Sequence, residues 1–198
     1  MTKMKTTILK TLMLVFVVSL ILACSSDDDN SGPNYTEENF LAGYLEASGF
    51  DESESDFINS GTYEFGLDFT PLVKGKITTL KVMLPDVNAA LRVTIWDKQT
   101  NTVYRTEIVN VTAADTEITF DISDLELVKD NEYAITMNSN DWYNREKTDE
   151  SVATYPITVG NIQVNAYRWL SVAAQTYPTT VSNDYYAGDL SFDFIQTE

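Results

Sequence analysis

The stretch TYEFGLDF, residues 62–69, alternates with period two. Tyr63, Phe65, Leu67 and Phe69 are aromatic or apolar, whereas Glu64, Gly66 and Asp68 are not. Successive side chains of a strand leave opposite faces, so this pattern predicts a half-buried strand. Pro71 ends it. Strands of the same kind follow in KITTLKVML (76–84), LRVTIWD (91–97), TVYRTEIVNV (102–111), TEITFDI (116–122) and EYAITMN (132–138), then in IQVNAYRWL (162–170) and DLSFDFIQ (189–196). Turn material such as PDVN, DKQTN and VKDN separates them. About eight short strands with little helical periodicity predict an all-β fold, an antiparallel, jelly-roll-like sandwich.

One segment departs from this pattern. In NYTEENFLAGYLEASGF (34–50), Phe40, Leu41, Tyr44 and Leu45 share a helical face that Gly49 would end, with Thr36 as a candidate cap. The same residues also suit an extended arm. The following DESESDFINSG (51–61) is expected to be an acidic loop.

The chain starts with three lysines and no acid in residues 1–10, continues with the largely apolar run LMLVFVVSLILA (12–23), and then reaches its single cysteine, Cys24. A basic start followed by a short apolar run describes a secretory signal peptide, too short to span a bilayer stably. Leu22-Ala23-Cys24 resembles a bacterial lipobox, which implies cleavage before Cys24 and acylation of that residue. Two or more acyl chains hold a protein on a membrane durably. Residues 24–34 have the polar composition of a tether. Cys24-Ser25-Ser26-Asp27-Asp28-Asp29 also resembles the export signal of Bacteroidota surface lipoproteins, implying outer-membrane anchorage with the domain facing outward. The expected organisation is leader 1–23, tether 24–34 and one sandwich domain over 35–198.

Charge narrows the function classes. The chain has 13 basic and 30 acidic residues. Lys3, Lys5 and Lys10 lie in the leader, so the remainder holds 10 against 30, a formal charge of −20. Phosphate binding needs a basic footprint, which argues against a nucleic-acid partner. The absence of histidine and of a second cysteine excludes Ser-His-Asp and Cys-His catalysis and any intramolecular disulfide. A carboxylate pair is the remaining route to an enzyme, but 30 acids make some pair inevitable. Binding is therefore expected rather than catalysis.

Acidic oxygens raise calcium as a structural ion. Asp51, Glu52, Glu54 and Asp56 cluster in one stretch and are hard oxygen ligands, without EF-hand spacing. A solvated acidic loop is the simpler account of them. The aromatics point to a ligand. In NSNDWYNREKTD (138–149), Trp142 and Tyr143 sit in a run too polar for core, which reads as a loop. Flat rings stack on the CH face of a pyranose while polar neighbours bond its hydroxyls. On that reading Asn140, Asp141, Trp142, Tyr143 and Arg145 contact a glycan, with Tyr177, Tyr185 and Tyr186 nearby. The alternative has these rings covering the end of the sandwich. A non-enzymatic subunit docking a cell-envelope protein is the second functional expectation. Trp96 and Trp169 suit either core or platform.

TYPITVGN (154–161) recurs as TYPTTVSN (176–183), six of eight positions matching. This echo implies either two similar loop-to-strand entries or two loops facing one site, and an aromatic-proline bond raises the chance of a cis peptide at Pro156 or Pro178.

The elements Glu64-Phe65-Gly66-Leu67-Asp68-Phe69, Gly75-Lys76-Ile77-Thr78-Thr79-Leu80 and Val93-Thr94-Ile95-Trp96 resemble the opening of a β-sandwich family of unknown function found in secreted bacterial proteins. The resemblance covers residues 61 to about 140. It implies a sandwich attached to surface or carbohydrate-active proteins and supplies no catalytic residues. Relatives often carry histidine ahead of the Trp; this chain has none, so a site built there does not transfer.

Overall fold

A computed structural model describes residues 35–198; the leader, Cys24 and the tether lie outside the described residues. The fold is an all-β sandwich. Its elements are β1 (Glu37–Asn39), α1 (Leu41–Ser48), β2 (Ser53–Phe57), β3 (Tyr63–Pro71), β4 (Gly75–Val82), β5 (Asn88–Asp97), β6 (Thr102–Val111) and β7 (Ile118–Leu127). The second half contributes β8 (Tyr133–Ser139), β9 (Trp142–Glu146), β10 (Ile157–Val159), β11 (Ile162–Ser171), β12 (Thr180–Ser182), β13 (Tyr185–Ala187) and β14 (Leu190–Gln196). All pairings are antiparallel.

Three sheets result. One runs β1-β14-β4-β7, a larger one β10-β11-β3-β8-β5-β6 with β12 also on β11, and a small one β13-β9-β2. The first two pack face to face. Phe69 of β3 meets Phe192 of β14 at 4.8 Å between ring centroids, and Phe40 lies 5.0 Å from Phe192 on its other side. Each such fully buried side chain contributes about 1.5–3 kcal/mol relative to exposure.

The N-terminal segment combines both conformations its sequence suits. Residues 37–39 extend along β14, and the helix then runs only from Leu41 to Ser48. Thr36 is not its cap. The N-cap position is Phe40, whose side chain caps nothing; Asn39, one residue earlier, accepts the Leu41 amide through its Oδ1 at 3.1 Å. Gly49 closes the helix at φ 79°, a left-handed position that glycine adopts without steric cost. Tyr44 projects into the core, its hydroxyl 2.6 Å from that of Tyr155.

The 51–61 stretch corrects the expectation of a plain acidic loop. Residues 53–57 form β2, an edge strand with all five side chains exposed. Its hydrogen bonds to β9 hold it there.

Strand β3 departs most from its sequence pattern. It is buried on both faces, not one. Its apolar side chains enter the sandwich, while Glu64 and Asp68 lie 0% and 1% exposed on the other side of the sheet. The strap of residues 172–179 crosses that side. Arg92 holds the Ala173 carbonyl, Asn138 holds that of Val172, and Gln175 donates to Thr94 and Thr106. Beneath the strap each carboxylate is bonded. Asp68 accepts Arg168 Nε at 2.5 Å, Lys98 Nζ at 2.6 Å and the Tyr177 hydroxyl at 2.7 Å. Glu64 accepts Arg92 at 2.7 Å and Thr136 at 2.6 Å, and Thr136 in turn accepts the Trp96 indole at 2.8 Å. Gly66, between the two acids, has no room for a side chain, since a Cβ there would sit 1.9 Å from the Ile135 carbonyl oxygen.

The sequence echo is structural. Both copies lay their second half antiparallel along β11, β10 opposite Ile162–Val164 and β12 opposite Tyr167–Trp169. Together they form one broken edge strand. Their tyrosines diverge: Tyr155 bonds Tyr44 within the core, and Tyr177 bonds Asp68 under the strap. The two segments therefore do not face one site. Tyr155-Pro156 is cis.

Replacing Asp68 with alanine leaves Arg168 and Lys98 without their shared, buried partner, and breaking such a pair costs about 3–5 kcal/mol. Urea denaturation of Asp68→Ala is expected to show a loss of that size, whereas a change below about 1 kcal/mol would mean that the strap network does not hold the sheet.

Candidate functional site

The sandwich has an open cleft of about 220 Å³ between the large and small sheets. Its floor is one end of the large sheet, where Tyr63 and Phe65 of β3 lie beside Tyr167 and Trp169 of β11. Its wall is the face of the small sheet that carries Phe57, Trp142, Asn144, Tyr185 and Ala187. Seven of these nine residues are aromatic, and its polar groups come from three tyrosines, two tryptophans and Asn144.

Strand alternation builds the wall. On β9, Trp142 and Asn144 face the cleft while Tyr143 and Arg145 face away. Phe57 lies directly across from Trp142, and their rings stack 5.4 Å apart at an interplanar angle of 6°. Trp142 also meets Tyr63 at 5.3 Å and Phe65 at 5.7 Å in edge-on contacts, and Tyr63 meets Trp169 edge-on at 6.0 Å. Tyr185 is set edge-on against Tyr167 at 5.5 Å. These are the geometries that ring quadrupoles favour, and they hold the cleft's shape. Phe57 remains 39% exposed, and Trp142, Trp169, Tyr63 and Tyr185 are half-buried.

Only some of the residues anticipated from sequence belong to this cleft. Trp142 and Tyr185 do. Residues 142–146 form a strand rather than a loop, which sends Tyr143 to the opposite face, where it is 3% exposed and its hydroxyl donates to Asp115 at 2.5 Å. Tyr186, next to Tyr185 in β13, is likewise turned inward and 1% exposed. Arg145 is bound to Asp189 by two bonds of 2.6 Å and to Glu54 at 2.5 Å. Asp141 is buried and accepts the Asn59 amide at 2.7 Å, while Asn140 donates to the Asn59 side chain. Tyr177 lies across the large sheet, edge-on to Trp96 and flanked by Lys98 and Arg168. These six hold the structure and do not line the cleft. Phe57, Tyr63, Asn144 and Trp169 join it instead. The alternation of β3 carried the signal for Tyr63; nothing local in DESESDF marked Phe57.

Two side chains of the acidic stretch are taken up by other partners. Glu54 is engaged by Arg145, and Glu52 accepts the backbone amide and hydroxyl of Thr148, which lower its pKa. Asp56 projects from β2, and Asp51 precedes that strand. Among the described residues, no three acidic, histidine or cysteine side chains converge as metal ligands.

Comparison with protein-family models and with curated proteins finds no match to this chain.

The tyrosines near the cleft set its response to alkali. Burial, the largest cause, raises Tyr44, Tyr167, Tyr185 and Tyr186, and pushes Tyr155 up to about 12. An unfolded tyrosine ionises near 10. The folded state therefore favours the neutral phenol. This contribution to stability is complete below pH ~10 and is lost as pH rises toward ~12, where Tyr155 ionises in the fold. Absorbance titration near 295 nm is expected to show a late group of tyrosines ionising together with unfolding. Ionisation of all eleven near pH 10 with the fold intact would contradict this.

Proposed function

We propose that this protein is a lipid-anchored outer-membrane protein that displays its sandwich outward and binds a glycan, without transforming it, in the aromatic cleft. The observation that carries the reading is the open cleft, where half-buried rings face solvent without a charged side chain among them. Ring faces stack on the CH face of a pyranose, and Asn144 offers both a donor and an acceptor to a hydroxyl. A volume near 220 Å³ lies below the roughly 300–1,000 Å³ of drug-sized ligand pockets, so the cleft suits about one sugar ring.

The placement of the cleft supports display. Strand β1, which follows the tether, pairs with the last residues of β14, and Glu38 accepts the Asn161 amide next to the Pro71 end of β3. The cleft lies at the Tyr63 end. At about 3.3 Å per residue, the nine residues of β3 separate the two poles by roughly 26 Å. Strand β1, the first element of the described residues, therefore lies toward the pole away from the cleft. The lipobox-like Leu22-Ala23-Cys24, the acidic run behind it and the resemblance of residues 61–140 to secreted bacterial sandwiches point the same way.

Trp169→Ala removes a cleft ring that takes part in one edge-on pair, whereas Trp142 contacts three aromatic neighbours. In affinity electrophoresis against a polysaccharide panel, the native chain is expected to be retarded by at least one polymer and Trp169→Ala to lose that retardation, with its melting temperature lowered by only a few degrees. Tyr143→Phe, on the reverse face, is expected to retain binding. Absence of retardation across the panel, together with co-purification of a larger envelope protein, would favour the docking-subunit reading instead.

A further inference from the structure

The charges around the cleft are arranged asymmetrically. None of its lining residues is ionisable as a cation, and the basic side chains of its own strands are turned away and bound elsewhere: Arg145 by Asp189 and Glu54, Arg168 by Asp68. Glu54 and Asp56 of β2 and Glu64 of β3 are turned away as well, but one carboxylate is not. Glu146 lies on the same face of β9 as Trp142 and Asn144, directly across from Tyr185, and is exposed. It accepts the Asn144 side-chain amide at 2.6 Å and forms no ion pair among the described residues.

Aromatic faces add to this field. The face of a ring carries the negative part of its quadrupole and attracts a cation placed over it. A cleft walled by such faces, with Glu146 on the same face of β9 and set in a chain of net charge −17, favours positive ligands and repels negative ones. Accordingly, we propose that the cleft selects its glycan by charge, taking a sugar unit that bears a protonated amine in preference to a neutral one and rejecting uronic acids. The inference rests on the glycan reading above and narrows its ligand class to amino-sugar glycans. The ammonium lies over Trp142 and Tyr185 and within reach of Glu146, while the ring stacks on Trp169.

Three β-1,4-linked tetramers of one backbone test the selection on the full chain purified in detergent: deacetylated chitotetraose, cellotetraose and C6-oxidised cellotetraose. Binding is followed by tryptophan fluorescence. The amine is expected to bind roughly three- to thirtyfold more tightly than the neutral tetramer, and the acid more weakly than either. Raising salt to about 1 M, where screening acts within ~3 Å, is expected to narrow the gap. Glu146→Gln is expected to lower the ratio of amine to cellotetraose affinity, whereas Tyr143→Phe, on the reverse face, is expected to leave that ratio unchanged. Binding of the acid equal to or tighter than that of the neutral tetramer overturns the proposal and leaves the glycan reading standing.

A sugar-free pair separates the two ideas. Choline and its uncharged isostere 3,3-dimethylbutan-1-ol differ in charge alone. If choline perturbs the fluorescence and the isostere does not, while no tetramer binds, charge selection holds and the glycan reading fails. If neither charge-bearing probe is preferred over its neutral counterpart, the proposal fails.

Discussion

Burying a strand on both faces when half its side chains are polar is the constraint around which this protein is organised. Strand β3 lies at the centre of the large sheet, with β11 on one side and β8 on the other. Its apolar alternation supplies the sandwich core, and its carboxylates need partners because an isolated buried charge is prohibitively unfavourable. Arg92, Lys98 and Arg168 supply them, and the 172–179 strap excludes water from above. Three of the chain's few cations are thereby committed to one face.

That commitment has a consequence at the cleft. The same strand that draws Arg168 outward presents Tyr63 and Phe65 inward, next to Trp169. The small sheet repeats the division, with Arg145 bonded on one face and Trp142 on the other. Strand alternation thus turns the arginines of β9 and β11 away from the cleft, which receives rings and Asn144 but no cation, with Glu146 farther along the same face of β9. Its aromatic character and its electrostatic sign have a single origin in the period-two pattern.

How far this was legible from sequence depends on burial. A strand with one buried and one more exposed face, such as β4, stands out in the sequence because its environment follows the alternation. TYEFGLDF was recognisable as a strand, but the cover over Glu64 and Asp68 comes from residues more than 100 positions away, and no local signal announces it. NSNDWYNREKTD misled for a related reason. Its polarity suggested a loop, yet Asp141 and Arg145 are bonded within the structure and residues 142–146 form a strand. Trp142 and Tyr185 were identifiable as cleft residues because both are aromatics in polar surroundings. Tyr143 and Tyr186 share those surroundings and differ only by the one-residue step that reverses a strand's face.

The three tryptophans provide the most direct test of where the ligand sits. Trp142 and Trp169 line the cleft, whereas Trp96 is buried on the far side of the large sheet with its indole N–H bonded to Thr136. In a ¹H–¹⁵N spectrum each indole gives one resonance. Titration with a pool of neutral and amino oligosaccharides should shift the Trp142 and Trp169 signals and leave that of Trp96 in place. A ligand-induced shift confined to Trp96, or saturation of binding with both cleft indoles unmoved, would contradict the account.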